Sequence, residues 1–316
     1  KTEQKTGLAW AAAKTSMYKA CPTGRERSAM SSARGVPVRD TILWVEDTGE
    51  VDLPVILCLH SLFVDGRMFE GLVREAKGRF RVVRPDFRSQ GSSAPATGEI
   101  VSMEECAEDM LALIDVMKLP PLHIAAASMG GDVSVRMAAA RPNLFSSMLM
   151  MGSSVRAEPP DQKAQFTQLL ERTLATGFAG EDLEMLMAIM FGAATRGRRD
   201  MQPILDYWRV RMELLPRSAW PAMYGVLERK SASAALRKIK TPTLIINGKD
   251  DIARPPAWAK EVAEGIKSAE LMMLDGIGHS PILEAPDIVI PRMLQFFERA
   301  SGGARQSRKL FGGLLG

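Results

Sequence analysis

Three short stretches, far apart in this 316-residue chain, carry residue types that together can attack a carbonyl carbon. Ala126-Ala127-Ser128-Met129-Gly130 offers a hydroxyl, Gly248-Lys249-Asp250-Asp251 a carboxylate, and Gly278-His279 an imidazole. A serine hydroxyl is a poor nucleophile unless a base takes its proton as it attacks, and a histidine can do so near neutral pH. An aspartate beside that histidine would hold the ring in the right tautomer and stabilise its protonated form. The chemistry in view is acyl transfer through Ser128, His279 and Asp251.

These residues must be positioned by their elements. Ser128 follows an apolar run, 122–127, and precedes Gly130, Gly131 and a helical stretch ending near Arg141. That pattern predicts strand, sharp turn, helix, with the serine pushed out at the top of a sheet. The helix N-terminus behind it favours a developing negative charge. Backbones cross closely there, so small neighbours are required; Ala126 adds a methyl group where glycine is usual. Asp251 follows a β-branched run, 243–247, and His279 follows the run 269–274 across a turn holding Gly276 and Gly278. Both runs fit parallel strands, whose C-terminal ends form the edge where open α/β sheets place their chemistry. Asp250 is the rival acid, and His60 and His123 are the rival bases. His60 reads as a structural hydrogen bonder and His123, opening the strand before the serine, as a core residue.

With the order Ser, Asp, His, the chain from about residue 36 to 299 resembles the α/β-hydrolase superfamily. His60-Ser61-Leu62 resembles its His-Gly-x loop, and 86–93, Asp-Phe-Arg-Ser-Gln-Gly-Ser-Ser, resembles its D-x-R-G-x-G-x-S loop. Gly278-His279, Glu284 and Pro286 resemble the ending around the family's catalytic histidine. Ser61 and Ser89 stand where glycine is usual. The resemblance implies that the backbone amides of Leu62 and Met129 form an oxyanion hole, that Glu284 is structural, and that Asp86 and Arg88 brace loops. It implies no cofactor and no metal.

A serine nucleophile separates the chain from the similar dehalogenases and epoxide hydrolases, which use aspartate. The resemblance thus implies a hydrolase of carboxylic esters or lactones. Ser-Met-Gly-Gly also occurs in carbon–carbon bond hydrolases of aromatic ring-cleavage products and in cofactor-free perhydrolases, so these stay open. A non-catalytic ligand receptor on this fold is a further alternative, opposed by the presence of all three triad residues. More narrowly, the chain resembles actinobacterial lactonases that open the resorcylate macrolactone zearalenone.

The remaining elements are predicted from periodicity. Strands at 41–46, 55–59, 80–84, 122–126, 147–151, 243–247 and 269–274 alternate with helices at 68–76 and 103–117. This implies an α/β fold, a mostly parallel sheet of about eight strands with helices on both faces. The interval between the strands at 147–151 and 243–247 exceeds the dozen or so residues that a crossover needs. An inserted helical cap fills it, with helices at 161–176, 181–191, 201–214 and 219–229. The boundaries expected are an extension at 1–40, a core at 41–152 and 240–300, a cap at 153–239 and a flexible tail at 301–316. Met185, Met190, Phe191, Trp208, Met212, Trp220 and Met223 are the cap residues expected to line a substrate pocket. A Met-rich, aromatic roof moulds itself to a bulky apolar ligand, so a small hydrophobic or aromatic ester or lactone is the expected partner.

Composition narrows the classes. Hydrophobic residues at 46% and charged residues at 25% match ordinary globular usage. The net charge of +4 gathers at the ends: residues 1–40 carry +5 and 301–316 carry +3, which leaves the body mildly acidic at −4. No basic stripe or nucleic-acid motif accompanies it, so no nucleic-acid partner is expected. Cys21, Cys58 and Cys106 show no C-x-x-C spacing, against a disulfide framework or zinc site. No apolar run nears the roughly 20 residues of a membrane span, and 8–20 reads as a short amphipathic helix without the core of a secretory signal. A cytoplasmic protein is expected, with the N-terminal extension as a homo-oligomer contact.

Overall fold

The computed structural model describes residues 32–312, with side chains to residue 302. The helix expected at 8–20, Cys21 and the proposed oligomer contact lie outside the described residues. Eight strands form one sheet: β1 (Ser32–Val38), β2 (Thr41–Asp47), β3 (Val55–Leu59), β4 (Arg81–Pro85), β5 (Leu122–Ala127), β6 (Phe145–Met151), β7 (Thr243–Gly248) and β8 (Ala269–Leu274). Their spatial order is β1-β2-β4-β3-β5-β6-β7-β8. The pairs β1–β2 and β2–β4 are antiparallel, and the other five are parallel. This is the α/β architecture expected from the alternating pattern.

Central strands are predominantly apolar because helices cover both faces of a parallel sheet. Every residue of β3, β5 and β7 is buried. The edge strand β8 keeps Glu270 and Leu271 exposed. Flanking helices are α1 (Glu70–Ala76), α2 (Met103–Val116) and α3 (Met129–Ala140), followed after β6 by the inserted helices. These are α4 (Pro160–Thr176), α5 (Gly180–Met190), α6 (Ala193–Gly197), α7 (Gln202–Glu213), α8 (Trp220–Leu227) and α9 (Ser233–Leu236). The chain then returns through β7, α10 (Pro256–Gly265), β8, α11 (Pro281–Glu284) and α12 (Pro286–Gly312).

Two boundaries differ from the sequence reading. The sheet starts at Ser32, inside the stretch expected to be an extension up to residue 40. Periodicity misses β1 because it holds a glycine and a proline and is largely exposed; an edge strand tolerates both. At the other end, α12 continues through residues 301–312, within the stretch expected to be a flexible tail, despite Gly302 and Gly303. Glycine costs a helix about 1 kcal/mol relative to alanine and does not forbid it. The short helix α6 was also not anticipated.

The crossing of β5 and α3 sets the position of Ser128. A Cβ on Gly130 would lie 2.2 Å from the Leu59 carbonyl oxygen, so α3 can approach β3 only with glycine there. Ala126, by contrast, sits in register between Leu59 and Met150 and is fully buried. The tightest point is at residue 130, and the methyl group of Ala126 is accommodated within the strand.

Candidate active site

The C-terminal ends of β5, β7 and β8 bring the three distant stretches together. Ser128 lies on the turn between β5 and α3 with φ 49° and ψ −110°, a conformation rare for residues other than glycine. Its N–H donates to the Met151 carbonyl at 2.8 Å and its carbonyl accepts from Gly131 N–H at 2.9 Å, so neighbouring backbone holds the strained turn. Ser128 Oγ lies 2.8 Å from His279 Nε2, and His279 Nδ1 lies 2.9 Å from Asp251 Oδ2. Asp251 Oδ1 accepts the N–H groups of Ala253, at 2.9 Å, and Arg254, at 2.7 Å, which fix the carboxylate plane. All three residues are buried.

The geometry also sorts the rivals. Asp250 is exposed and its N–H bonds Ile277; it makes no contact with the imidazole. His60 Nδ1–H donates to the Ser61 carbonyl, and Nε2 accepts Phe87 N–H at 2.9 Å, so both ring nitrogens are spent on loop structure. His123 lies between Ser147 and Ser301, and burial lowers its pKa to about 4. Asp86 accepts the N–H groups of Gly66 and Ser92, and Arg88 binds Asp109, Glu105 and Asp40. Burial raises the Asp86 carboxyl above its ordinary range.

Leu62 and Ser61 follow β3 at the same rim and line a pocket together with Ser128 and His279. Met129 opens α3, where the helix dipole is most positive. The Ser61 hydroxyl is buried and has no hydrogen-bond partner among the described residues. Ser89, the other serine at a usual glycine position, adopts φ 65° and accepts Ala96 N–H at 2.7 Å.

Of the seven residues expected to form the roof, Met190 and Met223 line this pocket. Met185 is 48% exposed, and this corrects its placement. The buried stripe of α5 is Leu183, Leu186, Met187 and Met190, at helical spacing, and Met185 falls off it. Phe191, Trp208, Met212 and Trp220 are buried but lie outside the pocket lining, a second correction. Trp208 and Met212 share the buried stripe of α7 with Leu205, while Trp220 stacks on Phe178 and donates to the Leu170 carbonyl at 3.1 Å. They hold the inserted helices to one another.

The insertion reaches the pocket instead through Phe166 and Leu170 of α4, Ile189 of α5, and Val226 and Leu227 beside Met223 on α8. Helical spacing of 166 with 170, and of 223 with 226 and 227, carries that signal in the sequence, although only tertiary packing shows which stripe faces Ser128. Phe63, Ala253, Glu158 and Arg254 complete the wall. The last two are charges in loops and have no sequence signature.

Glu158 joins three segments. Its Oε1 accepts from Arg229 Nη1, just after α8, at 2.7 Å and from Arg254 Nη2, in the loop after β7, at 2.6 Å. Arg229 is almost wholly buried; burial, with Arg254 beside it, lowers its pKa to about 10, still cationic at neutral pH. Asp132 on α3 lies nearby and pairs with Arg136 at 2.5 Å.

The fold and this site define a hydrolase family, and comparison agrees. The alpha/beta hydrolase family model matches residues 56–292, and the chain belongs to that family. It is 27% identical over 265 residues to an AB hydrolase superfamily protein of Bacillus subtilis, covering 80% of this chain and 94% of the relative. The enol-lactonase of Burkholderia xenovorans superposes with a TM-score of 0.76 at 22% identity, covering 84% of this chain and 100% of that one. A thermophilic esterase of Thermogutta terrifontis superposes with a TM-score of 0.75 at 23% identity, covering 85% and 99%.

Proposed function

We propose that this protein is a serine hydrolase that cleaves a carboxylic ester or lactone of a bulky hydrophobic or aromatic substrate through an acyl-enzyme. The observation that carries the reading is the unbroken hydrogen-bond chain Ser128–His279–Asp251 at the floor of an apolar pocket. His279 Nε2 takes the Ser128 proton as Oγ bonds to the carbonyl carbon. The oxyanion receives the N–H groups of Leu62 and Met129, each such donor being worth about 3 kcal/mol of barrier. His279 then protonates the departing alkoxide, and the same base activates the water that releases the acid. In a lactone the alcohol stays tethered to the acyl group, so the product is a single hydroxy acid.

The lining by Leu170, Ile189, Met190, Met223 and Val226 suits an apolar substrate. The macrolactone zearalenone is the specific substrate we propose, on the narrower sequence resemblance. The esterase and enol-lactonase among the structural neighbours accord with ester or lactone chemistry. Carbon–carbon hydrolysis would draw on a cation free to bind a dienoate; Arg254 lines the pocket but is engaged by Glu158 and by the Ala253 carbonyl. The deciding experiment assays purified protein on aryl esters, lactones including zearalenone, and a ring-cleavage dienoate. Acid release from esters or lactones, abolished in Ser128→Ala, is expected; faster turnover of the dienoate than of any ester would overturn the reading.

A further inference from the structure

The pocket wall is apolar except at Glu158 and Arg254 and beside the catalytic residues. Glu158 is unusual in how its two oxygens are used. Oε1 takes both guanidinium groups, whereas Oε2 is buried with no hydrogen-bond partner among the described residues. The Glu158 side chain is only 1% exposed. A buried carboxyl oxygen without a donor is costly, and an oxygen so placed is a strong hydrogen-bond acceptor. Glu158 is one of the residues that line the pocket with Ser128 and His279.

We propose that Glu158 Oε2 accepts a hydrogen bond from a hydroxyl group of the substrate, so that the enzyme selects hydroxylated, and in particular phenolic, esters or lactones. This rests on the serine-hydrolase reading and narrows its substrate class. The two arginines orient the carboxylate, which makes it an acceptor fixed in advance of binding. A hydroxyl entering an apolar pocket loses its water partners and regains one bond at Oε2. An ether at the same place brings only lone pairs to face a carboxylate oxygen and is rejected. Sites that bond a substrate hydroxyl discriminate strongly against analogues that lack it. Arg254 and Arg229 act here as positioning residues, through Glu158.

The test compares matched substrates on the whole protein. Phenyl esters of 2-, 3- and 4-hydroxybenzoate are assayed against their methoxy twins, with benzoates of the hydroxybenzyl and methoxybenzyl alcohols covering the other side of the ester bond. A fluorophosphonate probe counts active Ser128 in each preparation. At least one hydroxyl isomer is expected to exceed its methoxy twin about tenfold or more in kcat/KM. In Glu158→Gln the amide oxygen turns to the arginines and the NH₂ toward the substrate, so the preference is expected to invert toward the methoxy twin.

Taking the ratio on one preparation cancels any loss of folded enzyme. The double variant Glu158→Gln/Arg229→Gln keeps the charge balanced should the single variant not fold. Absence of any hydroxyl preference in the native enzyme, or its survival in the variants, would overturn the proposal while leaving ester hydrolysis intact. Failure of Ser128 to label would overturn the catalytic reading and this proposal with it.

Discussion

The carboxylate of Glu284 accepts the N–H of Gly278 at 3.0 Å, one residue before the histidine that faces Ser128. The same oxygen accepts Gly192 N–H and the Thr195 hydroxyl, on the insertion, and the second oxygen accepts Ser280 N–H. One buried side chain therefore sets the backbone on both sides of His279 and ties it to the inserted helices. Glu284→Ala leaves these donors unpaired, at about 1–3 kcal/mol each. The melting temperature should fall, and kcat should drop of order 100-fold through misplacement of the imidazole. Thermal unfolding followed by circular dichroism, with kinetics on one ester, checks both.

Ser128→Ala should lower ester turnover by at least about 10⁴-fold, and Asp251→Asn by a similar factor through the wrong imidazole tautomer. Asp250→Asn should leave kcat within about twofold, because Asp250 is exposed and its N–H serves only the Ile277 carbonyl. Steady-state kinetics on the three variants distinguishes the two neighbouring acids.

Gly152 directly follows β6 with φ 52°, where a Cβ would lie 2.5 Å from the His279 carbonyl oxygen and 3.3 Å from Asp251 Oδ2. Gly152→Ala combines left-handed strain of about 1–3 kcal/mol with displacement of two triad members. A fall in kcat larger than any rise in KM is the expected signature, since the substrate wall is untouched.

His123 is held neutral by burial, its pKa lowered from 6.5 to about 4. The unfolded chain binds a proton between these values and the folded chain does not, so stability rises with pH across that window and is level above about 6.5. Acidification from pH 7 to pH 4 should remove roughly 3 kcal/mol through this residue. Urea unfolding at a series of pH values tests it: in His123→Gln the slope between pH 4 and 6.5 should flatten.

Arg229 links α8 to Glu158 in a nearly dry environment. Arg229→Met leaves Glu158 with one cation instead of two and should destabilise the protein by about 3–5 kcal/mol, whereas exposed pairs such as Arg198–Asp200 should contribute little to stability. Denaturant midpoints of Arg229→Met and Arg198→Ala, compared with the native chain, measure the contrast.

Local chemistry was enough to read much of this protein from its sequence. Continuous apolar runs mark the buried parallel strands, because burial on both faces removes any need for polar alternation. Ser128, Asp251 and His279 were legible because each follows such a run, and strand ends share one rim of the sheet. What pattern could not reach was the side-chain environment. Helical periodicity separates buried from exposed faces but does not say whether a buried face meets the active site or another helix. Trp208 and Trp220 pack among the inserted helices, while Leu170 and Val226, no more conspicuous in sequence, face Ser128. Nor does any local signal mark Glu158, whose partners lie 71 and 96 residues away. A charge in a loop acquires its meaning only when the fold removes it from water and sets two arginines on one of its oxygens.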